Sequence, residues 1–354
     1  MNKREDLIEV LEGGTPSCTP FLVYDWNMGR AISAEDVAAR MADDRWKKLL
    51  DMGLLIRHHC TPVKAIEHGV EFSTEATADG SVIETKKTPV GSIRRVMIGH
   101  RYVEEWIKEP EDYKVQQWIV ENTELVADYA AVGKAEAVVG DHGVVVLTGH
   151  DMWAHRTPLM KLNIDYLGTE QFCLDLALEV PELADLLAAQ EKLFLAEQEL
   201  IAGAPGRYVV WYENLSVDMI GPQRYADLMM PVYEKATAIL EAGDKRVMAH
   251  YDGTTKMIAG HVANAPFHMI DSLSEPPEGD QMYDACRAAW PDKVLLANIN
   301  IGLYAEPEEV FRQAVIDKRN RAGKKAFLFE ISEDLPGNWE ERIPVVLETL
   351  RELD

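Results

Sequence analysis

In this 354-residue chain, residue types suited to chemistry concentrate at Ala249-His250-Tyr251-Asp252-Gly253, directly after the apolar run Arg246-Val247-Met248. His250 and Asp252 are two residues apart, so on a continuing strand both side chains point to one face. The carboxylates Glu275 and Glu330 end later strand-like runs and complete a set of candidate metal ligands: His250, Asp252, Glu275 and Glu330. Zinc accepts His nitrogen and carboxylate oxygen, and a catalytic zinc keeps one position open. Within such a set, Asp252 or Glu275 could orient another ligand instead of binding the ion. The alternative is a hydrogen-bonded rim of carboxylates around a substrate, with the histidine held by its neighbour.

These side chains need a frame that brings distant strand ends together. Short apolar, β-branched runs alternate with longer helix-period segments, the pattern of repeated βα units and a parallel sheet covered by helices. Candidate strands are Pro20 to Trp26, Gly53 to His59, Gly143 to Thr148 and Tyr208 to Glu213. They continue with Arg246 to Asp252, Met269 to Glu275, Lys293 to Asn298 and Lys325 to Glu330. Eight such runs predict an α/β fold, a (β/α)8 TIM barrel forming one domain over residues 1–354. Helices are expected over Glu170 to Ile201, divided at Pro181, and over Gln223 to Ala242, Pro307 to Ala322 and Trp339 to Leu353. Val70 to Met97 breaks the rhythm. It alternates as strand around an Ala78-Asp79-Gly80 turn, so an inserted β-hairpin is expected near residues 70–97, lying over the barrel mouth.

A barrel gathers its strand ends on one rim, where enzymes of this architecture carry their active sites. The predicted strands end on Asp25, on His59, on His150 and Asp151 just past Thr148, and on Glu213. The rest end on His250 with Asp252, on Glu275, on Asn298 with Asn300, and on Glu330. Glu213, Asp25 and His150 are the candidate proton donors or substrate anchors. Trp26, Trp153, Trp211 and Tyr212 stand near the rim and could wall in an apolar or planar ligand. The candidate substrate contacts are Trp26, His59, Trp153, Tyr212 and Asn298. His58 and His59 point to opposite faces of their strand, so at most one enters the pocket.

Composition narrows the classes. The net charge of −24 argues against nucleic acid, whose phosphates need a basic surface, and disfavours an anionic membrane. No apolar run approaches the roughly 20 residues that span a bilayer, and no leader is evident, so a cytoplasmic protein is expected. Cys18, Cys60, Cys173 and Cys286 are scattered without a Cys-x-x-Cys pair, so any metal must rely on His, Asp and Glu. Phosphate-cradling glycine loops and a Gly-x-Ser-x-Gly nucleophile turn are missing, which speaks against nucleotide chemistry and serine hydrolysis.

Several segments resemble uroporphyrinogen decarboxylase-like proteins. They are Asp6-Leu7-Ile8 through Gly13-Gly14-Thr15-Pro16 to Pro20-Phe21, Thr88-Pro89-Val90-Gly91-Ser92, Gly221-Pro222-Gln223-Arg224-Tyr225 with Pro231, and Ala297-Asn298-Ile299-Asn300. The decarboxylase's N-terminal Arg-Gln-Ala-Gly-Arg is absent; Tyr24-Asp25-Trp26-Asn27-Met28 stands there. The nearer resemblance is to the branch of zinc-dependent methyltransferases that exchange methyl groups with a corrinoid protein. Those enzymes place His-x-Cys after the fifth strand and Cys after the eighth. His250 matches the first ligand, Asp252 and Glu330 stand in place of sulfur, and Glu275 lies where related methionine synthases carry a Glu. The resemblance implies zinc as cofactor and a corrinoid (cobalamin) delivered by a partner protein, since the carrier's Asp-x-His-x-x-Gly signature is lacking. Oxygen ligands leave zinc a harder Lewis acid, which suits an ether oxygen as leaving group. A methyl ether donor, such as a methoxylated aromatic, is therefore expected, and a homodimer is compatible with the composition. The rival readings are a metal-free decarboxylase of a small acid and a binding protein without turnover.

Overall fold

A computed structural model of the chain describes residues 3–29, 33–99, 101–331 and 334–354. Eight parallel strands close into a barrel: β1 (Phe21–Tyr24), β2 (Leu55–Cys60), β3 (Gly143–Leu147), β4 (Tyr208–Trp211), β5 (Arg246–His250), β6 (Met269–Leu273), β7 (Val294–Ile299) and β8 (Phe327–Ile331). Each strand pairs with its successor, and β1 pairs with β8 to close the ring. The fold is thus the (β/α)8 barrel that the alternation predicts.

The strands read as near-continuous apolar runs because both faces are covered. Alternation then divides each run. Leu22, Leu55, Val146, Val210, Met248, Met269, Leu296 and Leu328 fill the interior. Val23, Ile56, Val145, Val209, Ala249, Ile270, Leu295 and Phe329 pack outward under the helices. The helix Lys3–Leu11 plugs the N-terminal end by joining Leu7, Val10 and Leu11 to the interior cluster. Gly143 opens β3 directly against β2, where a Cβ would lie 1.8 Å from the Ile56 carbonyl oxygen, so only glycine permits the pairing.

Helices Thr169–Ala177 and Pro181–Gly203 are separated at Pro181, as expected, and Glu308–Ala322 and Trp339–Leu353 follow. The expected helix from Gln223 is composite. Val217–Arg224 kinks at Gly221, a π-turn spans Tyr225–Met229, and Met230–Ala242 completes it.

The insertion is larger than a hairpin. Val63–Glu67 pairs antiparallel with Thr123–Ala127, and between them run four antiparallel strands, Glu71–Ala76, Ser81–Thr88, Gly91–Ile98 and Arg101–Glu104. The expected turn is present, with Gly80 at φ +84°. The meander packs on the outer helix Pro110–Glu121, where a Cβ on Gly91 would touch Val115 and where Ile93 joins the core. Apolar burial against that helix decides its place. Among the described residues, no helix is long and apolar enough to cross a membrane.

Candidate active site

Two residues beyond the last apolar interior layer, the same alternation turns polar side chains inward. Leu22 is followed by Tyr24, Leu55 by Arg57 and then His59, Val210 by Tyr212, Met248 by His250, Met269 by Asp271, and Leu328 by Glu330. Arg57 is the hub and is fully buried. Its guanidinium donates to both oxygens of Asp271, at 2.5 and 2.9 Å, and to Glu330 Oε1 at 3.0 Å. Tyr24 donates to Glu330 Oε2 at 3.2 Å, and the guanidinium carbon lies 4.8 Å from the centre of its ring. His250 Nδ1 lies 2.8 Å from Asp271 Oδ2, which fixes the imidazole's orientation.

Two buried carboxyl groups share one guanidinium, and their environments push them apart. Burial raises Glu330, with the neighbouring charge of Asp271 adding to the effect, so Glu330 favours its protonated form. Burial acts on Asp271 too, but Arg57 and then His250 outweigh it and hold this carboxyl well below the usual range. A bulge helps aim Asp271. The pairing of β6 with β7 slips by one residue between Ile270 and Leu273, and Ser272 adopts φ +59°.

A second array begins at Asp25. Its carboxylate accepts from the His59 backbone N–H at 2.7 Å and lies 2.7 Å from Nδ1 of both His58 and His59. The His59 Nε2 meets the Tyr212 hydroxyl inside the barrel at 2.5 Å, and both histidines border a separate cavity with Cys60, Thr61 and Lys134. Burial holds His59 below its ordinary value despite Asp25, so its ring is neutral near pH 7.

Over these arrays opens a cavity of about 340 Å³ lined by Tyr24, Trp26, Trp153, Tyr212, Asn214 and His250. The rings brace one another edge-on or tilted: Trp26 to Trp153 at 5.3 Å, Trp153 to Tyr212 at 5.7 Å and Tyr212 to His250 at 5.1 Å. Asn214 sits at φ +45°, a conformation asparagine tolerates better than most residues.

The expected site residues therefore separate. Trp26, Trp153, Tyr212 and His250 line the cavity, and His59 packs beneath Trp153 at 5.1 Å. Glu330 and Asp25 lie in the supporting arrays. The remaining candidates lie outside the cavity lining. Glu275 is bound by Lys318 at 2.7 Å, by Arg321 at 2.7 and 2.9 Å and by the Tyr283 N–H, an ion cluster with helix Glu308–Ala322. Glu213 has the outward phase and accepts from Thr157, N–H at 3.2 Å and hydroxyl at 2.8 Å; burial raises it to about 7. His150 is held on Glu197 at 2.6 Å. Asn298 braces the β6 bulge by donating to Ser272 Oγ at 2.9 Å. Asp252 lies two residues past β5, half-buried and outside the cavity lining. Trp211 faces outward and stacks on Tyr233 at 5.5 Å.

The four expected ligands do not assemble. Among the described residues, no three His, Cys, Asp or Glu side chains group as a cation site. The inward carboxyls are instead committed to Arg57, Tyr24 and His250, with a guanidinium between them. This donor set does not fit zinc. Arg57 and Asp271 lie short of the strand ends and so escape a search of the rim. Their signal in the sequence is a charge inside a buried apolar run, which must find a partner.

No family model and no curated protein matches the chain. Among solved structures, a methyltransferase from Methanosarcina mazei aligns over 100% of this chain and 99% of its own, with 10% identity and a TM-score of 0.62. A B12-independent methionine synthase from Shewanella sp. W3-18-1 aligns over 90% of this chain and 86% of its own, with 8% identity and a TM-score of 0.43. The full-length likeness to the first is a likeness of fold.

Proposed function

We propose that the chain is a methyltransferase that takes a methyl group from a small donor in the mouth cavity and delivers it to the Co(I) corrinoid of a separate protein. The observation that carries this reading is the cavity itself, four aromatic rings enclosing about 340 Å³ at the barrel's C-terminal rim with the His250–Asp271 pair at its edge. That volume lies near the small end of ligand sites, which span roughly 300–1,000 Å³. It suits a small methylated molecule, and a bulky corrinoid must then approach from outside. The end-to-end likeness to a protein named a methyltransferase supports the scaffold.

Methyl transfer asks an enzyme chiefly to hold the carbon in line between leaving atom and acceptor, and to exclude water. Tyr24, Trp26, Trp153 and Tyr212 supply that wall. Asp271 keeps the His250 imidazole in one orientation, so a proton can be held or moved at the cavity's edge. For a methyl ether such as a methoxylated aromatic, that imidazole is the group able to protonate the departing oxygen. Decarboxylation of a small acid is less well supported, because among the described residues no Lys or Arg lines the cavity to hold a carboxylate. A cytoplasmic setting suits the reading, since Co(I) and the free thiols both need reducing conditions.

The test mixes the chain with cob(I)alamin and candidate donors, ethers and quaternary ammonium compounds, under anaerobic reducing conditions. Donor-dependent loss of the Co(I) absorption is expected, reduced at least about tenfold by Trp153→Leu, a loss of about 1.4 kcal/mol in transition-state stabilisation. No methyl transfer from either donor class sinks the reading.

A further inference from the structure

The lining of the cavity also restricts the donor, a restriction that rests on the methyl-transfer reading. We propose that the donor is a quaternary ammonium compound whose charged, methyl-bearing head sits among Tyr24, Trp26, Trp153 and Tyr212.

Two observations point to a positive head group. The wall is aromatic on several sides, contributed by β1 and its following turn, by the turn after β3 and by the end of β4. Ring faces carry the negative part of the aromatic quadrupole and hold quaternary ammonium groups, which have no N–H to donate. Beneath the wall, carboxyl groups outnumber fixed cations. Asp271 and Glu330 face the guanidinium of Arg57, with Glu330 favouring its protonated form, while Asp25 is held ionised against His58 and His59, so two buried carboxylates stand against the one guanidinium. Among the described residues, the lining adds no Lys or Arg. The chain's net charge of −24 favours the approach of a cation as well. An uncharged ether meets the same rings but draws nothing from this field.

The chemistry of the step agrees. The C–N bond breaks with its electron pair going to nitrogen, which departs as a neutral tertiary amine. The Co–C bond forms with the electron pair of Co(I), which becomes Co(III). No proton is consumed and no electrophile is needed at the leaving atom. An ether departs as alkoxide or phenoxide and needs one of these. The inward carboxyls are bound to Arg57, Tyr24 and His250, and the first case asks no proton of them.

The experiment is calorimetric titration of the full chain with choline, with its uncharged analogue carrying tert-butyl in place of trimethylammonium, and with anisole. Choline is expected to bind at least about tenfold more tightly than either neutral probe. Trp153→Leu should erase most of that preference, and Trp26→Leu provides a second variant should the first fail to fold. Equal or tighter binding of the neutral analogue or anisole overturns the inference. The same donors are then offered to cob(I)alamin. Methyl transfer from anisole but not from choline overturns the donor assignment and leaves methyl transfer standing. Selective choline binding with no transfer from any donor overturns the methyl-transfer reading, and the donor role with it.

Discussion

Replacing Arg57 by methionine, of similar length and without charge, tests the hub of the polar layer. Arg57 is fully buried and holds Asp271 through two hydrogen bonds and Glu330 through a third. Removing one partner of a buried pair costs about 3–5 kcal/mol, because an uncompensated charge stays behind. Two carboxyls are stranded here, but Glu330 already favours its proton and Asp271 keeps His250, so about 4 kcal/mol is expected at pH 8. The penalty must shrink in acid. In the native chain Asp271 sits below its unfolded value, so its contribution is present at neutral pH and lost only as pH falls through the low folded value. In the variant that carboxyl is raised instead, the folded state binds the extra proton, and stability relative to the native chain recovers toward pH 5, to a deficit of about 2 kcal/mol. Adding Glu330→Gln should restore about 1–2 kcal/mol at pH 8, since one stranded carboxyl is gone. Guanidinium unfolding followed by circular dichroism at both pH values measures all three chains. A cost below about 1 kcal/mol at pH 8, or one that does not change with pH, refutes the charge-sharing account.

Two side chains outside the cavity carry outcomes of their own. Glu213, raised to about 7 by burial, stabilises the fold below its unfolded value, and that contribution is lost as pH rises through 7. Glu213→Gln should match the native chain at pH 5 and exceed its stability by about 2 kcal/mol at pH 8; a pH-independent difference in denaturant midpoint counts against this. Glu275→Gln should cost about 2–3 kcal/mol by leaving Lys318 and Arg321 half-satisfied, while choline affinity and metal content in elemental analysis stay at native values. A metal lost with Glu275 would return that residue to the ligand role.

Much of the frame was legible in the chain. The eight apolar runs, the division at Pro181 and the turn at Gly80 are local events, set by side-chain alternation, by proline's fixed φ and by glycine's access to positive φ. The aromatic wall was legible too, because Trp26, Trp153 and Tyr212 lie at or just past strand ends, and a barrel sends strand ends to one rim. The full meander was not, since its outer strands carry few apolar residues and its docking on helix Pro110–Glu121 is a contact remote from the turn.

The chemistry of the polar layer was decided elsewhere. Alternation states which face of its own strand a side chain takes, and by that rule Arg57 and Asp271 share the phase of His59 and Met269. It does not state at what height each strand enters the barrel. Arg57 on β2 meets Asp271 on β6 and Glu330 on β8, strands that are not its neighbours, because closure and stagger of the ring set all three at one level. Glu275, two residues past the end of β6, swings outward to Lys318 and Arg321 instead. The sequence by itself determined the barrel and the residues available to its mouth. Which carboxyl faces a cation, and that the cation is a guanidinium, came from three-dimensional closure, since electrostatic partners across a ring depend on distances no single strand encodes.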